Sequence, residues 1–380
     1  MTDAFGGLGG IAQYNRDLTT ALASLDSVES VRILPREGSD LRHAREGGHP
    51  VLLSTSKVAQ EAGTGNRFAY SLRALFLGMT YKPDVIFCGH LYMAPLGWAL
   101  ARLLRRPFWL QLHGIEAWQS PSSLSATIQF AAERTDLITA VSRYTRRRFL
   151  SWVNVAPHKV KVLPNTVDER FTPGPKRADL IERYGLQGKK VLLTVGRLSS
   201  SERYKGHDRV IAILPELIKS VPNLIYLIVG DGDDEVRLQA LARGQGVAKS
   251  VIFAGHLSPE ELPDIYRLAD AFVMPSSGEG FGLVFLEAAA CGVPIVGGSD
   301  HGAVDPLADG VSGKLVPPDD LAALTGVIKE ALSSVSQLPW TEPRMSRPHY
   351  VQHVSVLVTE LSAQRKSAIL EGLPSQTETA

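Results

Sequence analysis

The stretch Ser276–Pro294, SSGEGFGLVFLEAAACGVP, constrains the fold more than any other part of the chain. Ala271–Met274 ahead of it is apolar and bounded by Pro275, which predicts a buried strand. Gly278, Gly280 and Gly282 follow, interleaved with Glu279 and Phe281. Leu283–Ala290 then reads as a helix, ended by Gly292 and Pro294. In such a strand–turn–helix unit the glycines let a ligand approach the backbone closely. The helix start offers unpaired N–H groups and a positive dipole end, which suit phosphate. Glu279 and Glu287 flank that place, and carboxylates accept hydrogen bonds from hydroxyls. A ligand with phosphates and hydroxylated rings, a nucleotide sugar, fits. A tight turn with two solvated glutamates accounts for the same residues, and the rest of the chain must decide.

The same alternation runs through the whole sequence. Gly6–Gly10 (GGLGG) feeds a helix over 11–25 that places Ile11, Leu18, Leu22 and Leu25 on one face. A glycine loop of this kind normally follows a strand, and the five residues before it are too few for a central one. The first strand is therefore expected to be missing or clipped. Short strands are predicted at 31–35, 51–54, 83–88, 107–112, 136–141 and 159–163, with helices over 67–79, 92–104 and 125–134 between them. Arg36–Pro50 reads as a loop. His113 and Glu116 fall just past the strand PFWLQL, at the edge where parallel sheets hold ligands. A satisfied structural histidine is the commoner explanation of a single His there. Ser142 caps a helix carrying Arg143, Arg146, Arg147 and Arg148, a basic patch beside Phe149, Leu150 and Trp152.

Phe171–Lys176, with Pro173, Gly174 and Pro175, reads as a linker, and the alternation then restarts. Strand 191–195 runs into Gly196-Arg197-Leu198, and Lys205-Gly206-His207 opens the next helix. Arg197 and Lys205 thus bracket one turn, where two cations can neutralise a diphosphate. Strand 224–229 ends in Gly230-Asp231-Gly232, and strand 251–254 leads to Gly255. A helix is expected over 259–268, and at least one more from about Tyr350. The expected domains are 1–170, 171–340, a helical segment 341–365 crossing back onto the first domain, and a frayed polar tail 366–380. The fold class is α/β, two Rossmann-like domains with parallel sheets facing a central cleft.

At 380 residues the chain has room for two domains and ample core. Cys88 and Cys291 are the only cysteines and read as small buried hydrophobes, not a disulfide framework or a metal site. No charged-then-apolar run opens the chain, and no apolar stretch nears the ~20 residues that span a bilayer. A cytoplasmic setting is expected. The net charge of +1 hides an asymmetry: residues 1–170 carry 20 Lys and Arg against 14 Asp and Glu, and the remainder carries 20 against 25. The basic half offers a surface for peripheral contact with anionic membrane. A chance excess on a solvated surface explains it equally well.

Taken together, these motifs resemble glycosyltransferase family 4. The resemblance rests on Glu279–Glu287 (EGFGLVFLE), Val195–Leu198 (VGRL) with Lys205-Gly206, Val229–Gly232 (VGDG), Leu163–Asp168 (LPNTVD) and GGLGG, over residues 5–335. It implies the GT-B fold and retaining transfer of a sugar from a UDP-, GDP- or ADP-sugar to a saccharide or polyprenyl-linked acceptor, in cell-surface polysaccharide or glycolipid synthesis. It implies that Arg197 and Lys205 hold the diphosphate, that Glu287 takes the ribose hydroxyls, and that Glu279 with the backbone of Phe281, Gly282, Leu283 and Val284 holds donor sugar and phosphate. His113 would contact the donor sugar, Gly9 and Gly10 the donor phosphate or acceptor, Gly230, Phe253 and Gly255 would lie near the base, and Gly196 would belong to the donor site. His113, Arg197, Lys205 and Glu279 are the implied catalytic set.

With two cations and a helix start at the leaving group, no metal or other cofactor is expected. Asp231 and Asp233 only superficially mimic a metal-binding pair. No nucleic-acid partner is expected. Two alternatives stand beside this one: a nucleotide-sugar epimerase of the same fold, and a sugar-nucleotide-binding protein without catalysis.

Overall fold

A computed structural model describes residues 9–36, 57–61, 65–119, 125–308, 312–333 and 345–371. The chain divides into two compact units, residues 1–164 with 348–380, and residues 165–347.

In the first unit, α1 (Gly10–Ser24) leads to β1 (Val31–Ile33), which pairs in parallel with β2 (Val58–Gln60). α2 (Arg67–Tyr81) precedes β3 (Ile86–Cys88), and α3 (Ala94–Leu104) precedes β4 (Phe108–Leu112). A short turn of helix, α4 (Ile115–Trp118), and α5 (Ser125–Glu133) lead to β5 (Leu137–Ala140). α6 (Arg143–Leu150) then leads to β6 (Val160–Val162). β3, β4, β5 and β6 form a four-stranded parallel sheet in that order. β4 is buried at every position, as its near-continuous apolar sequence requires. Its one amide, Gln111, is satisfied inside: Tyr14 Oη donates to it at 2.8 Å and Thr139 Oγ1 at 2.5 Å.

The second unit opens with α7 (Ala178–Arg183) and β7 (Lys190–Val195), then α8 (His207–Ser220), β8 (Leu224–Val229) and α9 (Glu235–Gly244). β9 (Val251–Phe253), α10 (Leu262–Leu268), β10 (Ala271–Met274), α11 (Leu283–Ala290), β11 (Ile295–Gly298), β12 (Lys314–Val316) and α12 (Leu321–Ser333) follow. All six strands are parallel, in the order β12-β11-β10-β7-β8-β9. The side chains of β8 alternate between two cores. Tyr226 and Ile228 meet Ile211 and Leu214 of α8 and Leu238 of α9, while Leu227 and Val229 share the opposite cluster with Tyr266 of α10 and Phe285 of α11. Helices therefore cover both faces, and the strand order reverses between β7 and β10. The last helix, α13 (Arg347–Glu371), lies mostly in the first unit, where Lys161 and Glu360 pair.

Some elements differ from expectation. Ile11 does not share a buried face with Leu18: it is 42 % exposed, and Tyr14 takes the inner place. The helix expected over 259–268 starts at Leu262, with Pro263 in its first turn. α13 extends through Lys366–Glu371, which reads as frayed tail in the sequence; its Lys, Ser, Ala, Ile, Leu and Glu sustain a helix well enough. Residues 1–8, where the clipped strand and Gly6–Leu8 fall, lie outside the described residues, as do 37–56 with the strand expected at 51–54.

Candidate active site

The second unit brings most of the expected residues together at the carboxyl ends of β7 and β10, where a doubly wound sheet opens a crevice. β7 runs into Gly196 and Arg197, and a 3-10 turn, Ser200–Lys205, follows before α8. β10 runs into the turn 275–282 and α11. The two turns are tied directly, since Ser277 N–H donates to the Tyr204 carbonyl at 2.8 Å. Lys205 Nζ then sits 3.1 Å from Glu279 Oε1 and 3.4 Å from Glu202 Oε2, all three side chains nearly buried. Arg197 pairs with the other oxygen of Glu202 but remains largely exposed. Burial alone would lower the Lys205 pKa; the carboxylate of Glu279, together with Tyr204 and the carboxylate of Glu202, outweighs it and holds the ammonium above its usual value. The result is one buried fixed cation and one outward-reaching cation sharing a glutamate. That pair can meet two phosphates.

Gly282 caps α11 with φ +89°, a left-handed conformation that only glycine adopts without strain, and no side chain occupies the cap. The amides of Leu283 and Val284 belong to the first turn, which has no helix carbonyl to bind. Phe281 is buried beside them. On the same helix Glu287 accepts from Tyr266 Oη at 2.6 Å, which anchors one carboxylate oxygen. Gly196, Gly230 and Gly255 meet at the ends of β7, β8 and β9. Gly230 N–H donates to the Gly255 carbonyl and Gly196 N–H to the Val229 carbonyl, both at 2.9 Å. A Cβ on Gly230, at φ +131°, would lie 2.0 Å from the Gly196 carbonyl oxygen. This corner, with Phe253 ending β9, presents backbone groups that can recognise a flat base.

The remaining expected residues are in the first unit. His113 lies past the end of β4, buried, and its Nε2–H donates to the Gly89 carbonyl at 3.0 Å. Burial pushes its pKa down to about 4, so the ring is neutral near pH 7. Glu116, expected as a ligand acceptor, is engaged locally: Oε1 accepts from His113 N–H at 2.6 Å. Gly9 precedes α1 and Gly10 begins it. The ring of Tyr14, one turn on, meets His113 edge-on at 5.1 Å.

Sequence reasoning missed Glu202, Tyr204 and Tyr266. Glu202 stands three residues before Lys205, but in the polar run SSER nothing marks it out. Asp233 is a structural residue, accepting from Ser200 N–H at 2.9 Å, and Asp234 pairs with Arg203 and Arg237. Among the described residues no cluster of three His, Cys, Asp or Glu could hold a metal ion. The arginine helix is less available than its sequence suggests: Arg146 donates to the carbonyls of Val160 and Pro157, and Arg147 stacks on Tyr144. No described helix is long and apolar enough to cross a membrane.

Comparison with known proteins bears on the family and the fold. The model described as Glycosyltransferase Family 4 matches residues 8–171, and that described as Glycosyl transferases group 1 matches residues 176–339. The chain is similar to a GDP-mannose-dependent α-(1-6)-phosphatidylinositol monomannoside mannosyltransferase of Mycolicibacterium smegmatis, 36 % identical over 306 residues, covering 78 % of each chain. It is also similar to a glycogen synthase of Mycobacterium tuberculosis, 27 % identical over 86 % of this chain and 83 % of that one. Among solved structures, Anabaena HepE in complex with UDP superposes with a TM-score of 0.72 at 19 % identity, over 98 % of this chain and 99 % of that one. Two parallel α/β units, a cation pair and helix start at the switch point, and these matches lead to one conclusion: the chain belongs to glycosyltransferase family 4 and is a hexosyltransferase of the GT-B fold.

Proposed function

We propose that the chain transfers a hexosyl group, mannose from GDP-mannose in the first instance, to a lipid-linked acceptor with retention of anomeric configuration and without a metal ion. The observation that carries this is Lys205, fixed between Glu279 and Glu202 beside Arg197 and the start of α11. When the bond from the anomeric carbon to the phosphate oxygen breaks, negative charge grows on the diphosphate. Arg197, Lys205 and the first-turn amides of α11 stabilise that charge in place of a metal. The departing phosphate oxygen takes the proton of the attacking acceptor hydroxyl as the new glycosidic bond forms on the same face. Glu287 holds the ribose hydroxyls, Glu279 and the turn Phe281–Val284 the sugar, and the glycine corner the base. Mannose and a phosphatidylinositol-type acceptor are chosen because the mycobacterial relative is named for them.

A second observation supports work at a lipid surface. α2 has no acidic residue and exposes Phe68, Leu72, Phe76 and Met79 along one stripe, Phe68 at 72 % and Phe76 at 65 %. Arg67 and Lys82 stand at its ends. Such a face suits peripheral contact with an anionic leaflet. The test is transfer from radiolabelled GDP-mannose, UDP-glucose and ADP-glucose to phosphatidylinositol mannosides in vesicles with EDTA present, and product anomers assigned by NMR. Transfer with retained configuration in EDTA is expected. Failure with every donor, an inverted product, or absolute dependence on added Mg²⁺ or Mn²⁺ overturns the corresponding part. Phe68→Ser with Phe76→Ser should reduce flotation with anionic vesicles and leave the Kd for nucleoside diphosphate unchanged.

A further inference from the structure

Arg197 and Lys205 stand with two carboxylates, those of Glu202 and Glu279. The ring of Tyr204 lies among all four groups, with Lys205 Nζ 5.3 Å from its centre. The formal charges of the four cancel. A diphosphate entering here therefore meets cations that acid groups of the chain already balance. Glu202 reaches both cations, one oxygen on Arg197 and the other 3.4 Å from Lys205 Nζ. The two members of the Arg197 pair differ in freedom. The turn that carries Glu202 is fastened on both sides: Ser200 N–H donates to Asp233 at 2.9 Å and Arg203 Nε–H to Asp234 at 3.0 Å. Glu202 N–H itself donates to the Ser199 carbonyl at 2.8 Å. The Glu202 side chain is 12 % exposed, whereas that of Arg197 is 73 % exposed. A carboxylate held on a fastened turn keeps its place, and an exposed guanidinium on a flexible stem turns away at little cost. When it does, Lys205 still stands beside Glu202, so the carboxylate is not left buried without a cation.

We propose that Glu202 is a positioning residue that holds Arg197 until a diphosphate arrives and yields it when the diphosphate binds, so that carboxylate and phosphate compete for one guanidinium. This rests on the reading above that Arg197 and Lys205 hold the leaving diphosphate. Carboxylate and phosphate both match the forked N–H groups of a guanidinium, so the exchange replaces one charge-assisted contact by another of the same kind. Lys205, between Glu202 and Glu279, stays in place throughout. The competition lowers the affinity for the nucleoside diphosphate. After transfer the exchange runs backwards: Glu202 takes Arg197 back, and the nucleoside diphosphate leaves sooner than it would from an uncompensated pair of cations.

The test is titration calorimetry with GDP, and with UDP in parallel, in EDTA. It is run on the unaltered chain, Glu202→Gln, Arg197→Gln and the double variant, with a melting scan of each. Arg197→Gln should weaken nucleotide binding about tenfold or more. Glu202→Gln should tighten it about three- to fivefold, the worth of an ion pair with one exposed member, and the KM for the corresponding nucleotide sugar should fall with it. A residue that merely supported the turn would lower the melting temperature and leave the affinity unchanged or weaker. In the double variant the gain should vanish, because no guanidinium is left to release, and its Kd should lie within about twofold of that of Arg197→Gln alone. Glu202→Asp keeps a charge for Lys205 but shortens the reach to Arg197; it should also tighten binding, and it carries the test if the glutamine variant does not fold. No binding by the unaltered chain, or an unchanged Kd in Arg197→Gln, overturns the diphosphate role and the proposal with it. A weaker Kd in Arg197→Gln without tightening in the Glu202 variants overturns the proposal alone, as does a gain that persists in full in the double variant.

Discussion

Replacing Lys205 by Met separates the two roles this residue can have. At 3.1 and 3.4 Å from its two carboxylates, each attraction is worth about 5 kcal/mol at an effective dielectric constant near 20. Desolvation of nearly buried ions offsets most of that. Removing the cation takes the partner of Glu279 away and leaves Glu202 with only the exposed Arg197, so Lys205→Met should destabilise the second unit by roughly 2–4 kcal/mol. For a unit of this size that is a melting shift of about 5–10 °C. Turnover should fall further than stability explains, by about 10²–10³-fold, because a fixed donor to the leaving diphosphate is lost. The double variant Lys205→Met with Glu279→Gln removes one stranded charge and should recover much of the melting temperature. It should not recover turnover. Calorimetric melts and initial rates on the single and double variants read both quantities. If the double variant recovers rate along with stability, Lys205 acts only as a structural counter-ion and the diphosphate role is wrong.

Glu287→Ala should weaken nucleoside diphosphate binding by about 1.5–3 kcal/mol, through loss of a charge-assisted acceptor; unchanged affinity by titration calorimetry would exclude the ribose contact. Gly230→Ala forces a Cβ to 2.0 Å from a carbonyl oxygen at a positive φ and should cost about 2–4 kcal/mol of stability, measured by urea unfolding; a smaller loss would mean that the corner relaxes readily. Acid should destabilise both units. Burial pushes His113 in the first and His207 in the second down to about 4, against ~6.5 unfolded, so the unfolded chain binds more protons between these values and stability falls as pH drops through that window. From pH 7 to pH 5 the loss should be about 2 kcal/mol per histidine, and His113→Gln should flatten the first unit's share.

Much of the site was legible in the sequence because its parts are local. A strand, a glycine turn and a helix are specified by residues adjacent in the chain, so Glu279–Glu287 could be placed on α11 and its turn before any contact was known. Gly196–Leu198 and Lys205-Gly206 were legible for the same reason. Local pattern also found the buried strand β4 and the histidine at its end. Pairings across the sheet carry no such signature. That Lys205 lies against Glu279, 74 residues later, follows from β7 and β10 being neighbours at the point where strand order reverses. Glu202 drew no attention because a glutamate in a polar turn is indistinguishable from a solvated one until the fold buries it. Tyr266 is the same case, an apolar-face residue of α10 whose hydroxyl acquires a partner only when α11 packs beside it. The converse holds for Arg146 of α6 and for Glu116, which read as ligand groups and instead bond to nearby backbone. Sequence alone placed most of the strands, turns and helices, because propensity, glycine and proline act over a few residues. The tertiary structure decided which charges meet and which are buried, because those depend on strand order, which no local run of residues encodes.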